Sequence, residues 1–372
     1  MSDGAVPDLA SRLLAWFDVH GRRNLPWQQQ PTPYRVWVSE IMLQQTQVTT
    51  VIPYYCAFIE RFPDIETLAR APIDEVLHHW SGLGYYARAR HLHRAAQVVV
   101  DDHGGVFPQS LEAVMALPGI GRSTAGAVLA LAGGERHPIL DGNVKRVLAR
   151  AFGVDGFPGE PQTLQRLWTL AERCTPRERV AEYTQAIMDL GATVCVRRRP
   201  LCNACPLADG CSARLTGRQE ELPAPRPRRD RPARATCMLL AVRDRQYVLL
   251  ERRPPHGLWG GLWGLPEFAS SEAAHGWCTR ELRVTSAVPQ RLSRLRHAFT
   301  HFDLEIEPVR IDCDGSDAME SDRFVWYNPA APQSLGIAAP VRTLIDSTIG
   351  PLAPDAGARE SLLSPRPLAG GG

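Results

Sequence analysis

Lysine is nearly missing from this chain: of 42 basic side chains 41 are arginines, and the single lysine is Lys145. Any chemistry that needs a side-chain amine therefore has one candidate. Long apolar runs are missing too. The longest, Ala125–Ala132, is far short of the roughly 20 residues a membrane-spanning helix needs, and Met1–Ala10 shows no basic stretch leading into an apolar core. A cytoplasmic protein without a membrane partner is expected, associated with the nucleoid if bacterial. Excess charge is also absent. The net charge is +2, with 23 basic against 23 acidic residues over 1–225, 14 against 16 over 235–372, and 5 against 1 over 226–234. A nucleic-acid surface must therefore be local.

The 372 residues exceed what one ordinary domain needs. At 44% apolar and 22% charged, the composition is that of a globular chain rather than a collagenous, coiled-coil or largely disordered one. Four prolines and five arginines between Glu220 and Arg234 leave nothing to bury and favour an extended path, so 220–234 reads as a linker. Before it, Asp74–Trp80 and Leu164–Ala171 carry apolar residues at three- and four-residue spacing, which predicts an all-α domain over 1–219. After it, Thr236–Leu250 gives two β-type runs around a polar turn and Phe302–Ile311 partly alternates, predicting an α+β domain over 235–348. Residues 349–372, rich in Pro, Gly, Ala and Ser, are expected to be disordered.

Nine cysteines without an export signal suit reduced thiols or metal ligands better than disulfides. Four of them, Cys195, Cys202, Cys205 and Cys211, fall within 17 residues among Arg197, Arg198, Arg199 and Arg214. Zinc and iron–sulfur clusters both take four thiolates, so spacing leaves the choice open. Leu117–Ala125 lies between two apolar-periodic stretches and reads as helix, tight hairpin, helix, with a hairpin at 117–121. Gly119 and Gly121 let backbone approach a ligand, and amides opening the second helix can hold a phosphate; an ordinary αα-hairpin would look the same.

The hairpin string, the cysteine spacing, Ser39–Val48 and Leu140–Val147 together resemble the adenine DNA glycosylases of MutY type, within the helix–hairpin–helix superfamily. The resemblance runs from about Leu9 to Thr343. It implies a [4Fe–4S] cluster on Cys195, Cys202, Cys205 and Cys211, in the loop 195–211, and as partner duplex DNA carrying adenine opposite 8-oxoguanine or guanine. Breaking the bond from adenine to deoxyribose calls for one acid to protonate the leaving base and one carboxylate to face the sugar. Glu40, within apolar Val36–Leu43, is the natural acid, because partial burial disfavours its anion. Asp141 precedes a helix, where it would ordinarily cap; the resemblance makes it the sugar-facing carboxylate, supported by Asn143.

By the same resemblance Gln45, Leu83 and Tyr85 are wedge residues that help extrude the base, Arg23 and Trp27 wall the adenine pocket, and Gly119, Gly121 and Ser123 meet the DNA. Ser123 stands where bifunctional relatives carry an attacking lysine, which implies a monofunctional enzyme leaving an abasic site. Arg252–Phe268 resembles a Nudix-like domain, but after Glu267 only Glu272 and Glu281 follow where hydrolases carry a glutamate-rich metal box. This domain is expected to read rather than cut, with Thr300 and His301, and Ser123, inspecting 8-oxoguanine. No nucleotide hydrolysis is expected, and the chain is expected to act as a monomer. A bifunctional pyrimidine-lesion glycosylase would want the hairpin lysine, and a nucleotide pyrophosphatase the missing glutamates. A non-enzymatic damage-binding module would tolerate loss of Glu40 or Asp141, and both are present.

Overall fold

A computed structural model describes residues 6–227, 230–284, 288–299, 301–313 and 321–349. Thr300 and the tail from 350 onward lie outside the described residues. The chain divides into two compact units. One runs through Ile73 and resumes from Ala87 to the linker, while the other joins Asp74–Tyr86 to the residues from Asp230 onward.

Every element of the first unit is helical among the described residues, as the apolar spacing predicts. It opens with α1 (Val6–His20), α2 (Pro33–Leu43), α3 (Val48–Arg61) and α4 (Ile65–Arg70). Next comes α5 (Ile73–His79), grouped from Asp74 onward with the second unit. The first unit resumes with α6 (Ala87–His103), α7 (Leu111–Ala116), α8 (Arg122–Gly133), α9 (Gly142–Phe152), α10 (Pro161–Cys174), α11 (Val180–Thr193) and α12 (Ser212–Leu215). Thr32, Asp64, Ser110 and Asp141 each accept an amide of the first turn they precede. Each such cap is worth about 1 kcal/mol.

One core of this unit is built from α1, α9, α10 and α11, around Leu13, Phe17, Val147, Leu148, Leu167, Ile187 and Leu190. Each such side chain contributes about 1.5–3 kcal/mol by leaving water. Helix α2 packs on α8, and α11 packs on both α8 and α9. Through these contacts Glu40, near the end of α2, and Asp141, just before α9, come close enough for the charge of one to act on the other. Between α7 and α8, Gly119 has φ +78°, and a β-carbon there would sit 2.6 Å from the His91 Cβ. Only glycine fits. Gly121 has open space around it, so its own lack of a side chain is not sterically demanded.

The second unit is a mixed sheet with helices. Its strands are β1 (Ala233–Arg243), β2 (Tyr247–Arg252), β3 (Trp263–Gly264), β4 (Glu267–Phe268), β5 (Gln290–Arg291), β6 (Leu295–Ala298), β7 (Asp303–Asp312) and β8 (Phe324–Tyr327). The order β3-β2-β1-β7-β5 places parallel β1 and β7 at the centre, with β4, β6 and β8 paired antiparallel to β1, β7 and β2. The predicted polar turn is the β1–β2 hairpin, in which Asp244 and Arg245 both adopt positive φ, as a tight hairpin requires. Helix α13 (Ser271–Glu281) buries Ala274 and Cys278 against the sheet, and α14 (Ala339–Ile349) is the last element among the described residues. The turn from β6 to β7 is held by the Phe299 amide donating to the Phe302 carbonyl at 2.9 Å, so His301 sits exposed at a hairpin tip.

Candidate active site

Glu40 comes from the last turns of α2, a helix whose Trp37, Val38, Ile41 and Met42 are buried. That packing forces the intervening carboxyl into desolvated surroundings. Burial first, and the charge of Asp141 second, push the Glu40 pKa up to about 8. Asp141 does cap α9, its Oδ1 accepting the Val144 amide at 2.7 Å. Burial raises its pKa, opposed by the Val144 and Asn143 amides and by the charges of Arg146 and Lys145. The two carboxyls are thus close enough to interact: burial raises both, and Asp141 alone also faces amides and cations that work the other way.

Several residues that sequence reasoning passed over hold these groups in place. The buried Arg88 donates through Nη1 to the carbonyls of Ile41 (2.7 Å), Met42 (2.9 Å) and Gln44 (2.8 Å), satisfying the end of the helix that carries Glu40. Arg146 donates to Asn143 Oδ1 at 2.8 Å and to the carbonyls of Gly191 (2.6 Å) and Cys195 (2.7 Å). Gly191 lets α11 touch α9, since a β-carbon there would lie 2.6 Å from the Asn143 Cβ. The Ser123 hydroxyl accepts the Leu140 amide at 2.9 Å, tying the start of α8 to the residue before Asp141. A glycine inside an apolar helix and arginines at 146 and 150 on one face were the available signals.

Arg23 and Trp27 have other partners. Arg23 pairs with Asp18 at 3.2 Å and lies over the Phe17 ring, while buried Trp27 meets Tyr55 edge-on at 5.4 Å. Its neighbour Arg22 is the arginine drawn inward, gripping fully buried Asp189 through its backbone amide, Nε and Nη2. Gln45 is exposed and has φ +61°. In the second unit Leu83 is buried, and Tyr85 is 47% exposed with φ +50°.

Cys195, Cys202, Cys205 and Cys211 line one cavity together with Arg150, Pro200 and Arg214. Burial first, then the neighbouring thiols, raise Cys205 to about 11, and burial also raises Cys211. The buried Arg150 donates to Cys195 Sγ at 3.4 Å and to the carbonyls of Val196 (2.7 Å), Arg197 (3.0 Å) and Leu222 (2.8 Å). Arg146 and Arg150, one turn apart on α9, therefore join the Asp141 helix to the cysteine loop. Beside them runs a cleft lined by Gly142, Lys145, Arg146, Arg150, Arg197, Arg198, Arg199 and Arg226, with Glu220 its one acid. Lys145 lies in the first turn of α9, and its charge reaches Asp141. No helix among the described residues is long and apolar enough to cross a membrane.

Residues 38–173 match the HhH-GPD superfamily of base excision DNA repair proteins, and 237–347 match the NUDIX domain. An adenine DNA glycosylase of Buchnera aphidicola (strain APS) is 36% identical over 337 residues, covering 90% of this chain and 96% of that protein. The human adenine DNA glycosylase is 34% identical, covering 82% of this chain and 66% of its own length. The solved structure of a thermostable thymine-DNA glycosylase superposes with a TM-score of 0.52 at 30% identity, covering 56% of this chain and 96% of that one. With both domains matched, and with a relative aligned almost end to end, the chain belongs to the adenine DNA glycosylase family.

Proposed function

We propose that the protein hydrolyses the N-glycosidic bond of adenine facing 8-oxoguanine or guanine in duplex DNA and leaves an abasic site. The observation that carries this reading is the pair of unlike carboxyls, Glu40 held up to about 8 within range of Asp141. Below that pH Glu40 carries a proton, which it gives to the departing adenine as the bond to the sugar carbon breaks. Asp141 opposes the positive charge left on the sugar, or bonds it transiently, with Asn143 oriented by Arg146. Water then adds its hydroxide to the sugar carbon while its proton goes to the Glu40 carboxylate. The atoms balance and no further reactant is needed.

The start of α8 has no side-chain cap, so its amides and the Gly119 turn suit a phosphate, and the arginine-lined cleft suits the neighbouring backbone. Gln45 and Tyr85 hold positive φ without being glycine, a strain that is tolerated where a residue has a task. We assign them, with Leu83, to the wedge. For Arg23 and Trp27 to wall the adenine pocket, Arg23 must release Asp18. Ser123 accepts from Leu140 yet keeps its own hydrogen to donate toward 8-oxoguanine. Having no amine there, the protein leaves the strand uncut.

The four cysteines fit a [4Fe–4S] group, because four thiols line one cavity and Arg150 and Arg214 in its wall offset the charge of four thiolates. When bound, the cluster braces the loop that Arg150 ties to α9. The expected preparation is brown with four irons per chain; a colourless, fully active protein holding stoichiometric zinc would overturn this assignment.

Recognition of 8-oxoguanine is assigned to the hairpin tip bearing His301 and to Thr300. A single-turnover assay on adenine opposite 8-oxoguanine and opposite guanine tests the whole reading: abasic product is expected without a nick, and strand cleavage in the absence of alkali would refute monofunctionality. In the same assay His301→Ala should erode the preference for 8-oxoguanine by about one to two decades. Equal loss on both substrates would mean the tip contributes general affinity only. The point variant is cleaner than removing 235–348, because Asp74–Tyr86 belongs to the same unit.

A further inference from the structure

The loop that carries Leu83 and Tyr85 is built on the second unit. Helix α5 and the turn after it sit against residues 335–337, the stretch leading into α14. His78 Nδ1 meets the Leu335 carbonyl at 3.4 Å. Gly336 lies so close to α5 that a β-carbon would come within 2.6 Å of the Leu77 Cβ. The Tyr86 hydroxyl accepts the Gly82 amide at 3.3 Å and donates to the Ile337 carbonyl at 3.4 Å. Across the turn, the indole of fully buried Trp80 donates to the Gly84 carbonyl at 3.2 Å. Residues 336 and 337 are in turn fixed to the sheet, for the Trp263 amide donates to the Gly336 carbonyl at 2.9 Å and Trp263 bridges Ile337. Arg252, at the end of β2, pairs with Asp74 at 3.3 Å and fastens the start of the segment.

We infer that residues 335–337, with Tyr86 and the Arg252–Asp74 pair, form a bracket by which the sheet unit sets the position of the wedge loop, so that extrusion of adenine depends on the unit assigned to lesion recognition. Tyr86 and Arg252 are positioning residues acting through Leu83 and Tyr85. The positive φ values at Gly82, Gly84 and Tyr85 show why a bracket is needed: a turn of three left-handed residues does not hold one geometry by itself. The inference rests on the proposed wedge role of Leu83 and Tyr85.

The test places 2-aminopurine at the target adenine of a duplex and reads its fluorescence as the base unstacks, alongside binding to a duplex carrying a tetrahydrofuran abasic analogue, which has no base to extrude. Tyr86→Phe should lower the extruded fraction by about fivefold or more, since both hydrogen bonds of the hydroxyl are lost, and Arg252→Ala about twofold to threefold, as suits a part-exposed ion pair. Arg252→Lys should restore the parent signal, and all three should bind the abasic duplex like the parent. Arg252 also provides the test if Tyr86→Phe fails to fold. Leu83→Ala separates the two layers. Loss of extrusion in Leu83→Ala with parental behaviour of Tyr86→Phe and Arg252→Ala would overturn the bracket and spare the wedge, whereas parental extrusion in Leu83→Ala would remove both. Equal weakening on the abasic duplex would also overturn the bracket, reducing these residues to a general structural role.

Discussion

Glu40→Gln lowers adenine excision by about 10²–10⁴, the usual worth of a positioned acid, while leaving binding to the mispaired duplex intact. Glutamine keeps the shape and can still hydrogen-bond, but it has no proton to give. The parent should also show a limb in kcat/KM that falls as pH rises through about 8, because the active form is the protonated one and burial, with Asp141 adding to it, places the Glu40 pKa there. That limb should vanish in the glutamine variant. Stability follows the same sign. With a folded pKa raised above the ordinary carboxylate value, the contribution of Glu40 to stability is complete below about 4.5 and is lost as pH rises through about 8. The glutamine variant should therefore melt higher than the parent in mildly alkaline buffer. Parental excision by Glu40→Gln would take Glu40 out of the acid role.

Asp141→Asn separates the helix cap that the structure shows from the sugar-facing charge proposed for the same side chain. Asparagine caps a helix as well as aspartate does, so it can still accept the Val144 amide, and melting temperature should stay close to the parent value. The charge is what disappears. Without it the developing sugar cation has no opposing carboxylate, and single-turnover excision should fall by at least about 10². A variant with normal turnover would leave Asp141 as a cap and nothing more. Measuring both variants at several pH values adds a check, since removal of the Asp141 charge should move the Glu40 limb downward.

The helical first unit was legible in the apolar spacing of segments such as Leu164–Ala171, and the β1–β2 hairpin in the polar turn of Thr236–Leu250. These are local patterns whose period survives whatever they pack on. Glu40 was legible as a candidate acid, because an apolar helix disfavours its anion, and Asp141 as a helix cap; the sugar-facing role of Asp141 came from the resemblance and not from its position. The positioning groups were not. Arg88 serves three carbonyls more than forty residues earlier, and Arg146 and Arg150 reach a loop some fifty residues later, and nothing in a local window reports such partners. Arg23 stood out in the sequence, yet its neighbour Arg22 holds the buried Asp189.

The sequence by itself determined the two kinds of fold, the four-thiol loop, the hairpin and the absence of an amine at Ser123, because each is a matter of residue type and short-range spacing. Tertiary structure decided that Glu40 is raised to about 8, since desolvation and the field of Asp141 exist only once the helices of the first unit have packed. It also decided that Asp74–Tyr86 belongs with the sheet unit. That assignment depends on Leu77 finding Gly336 and Tyr86 finding Ile337, contacts about 250 residues apart that no local propensity encodes.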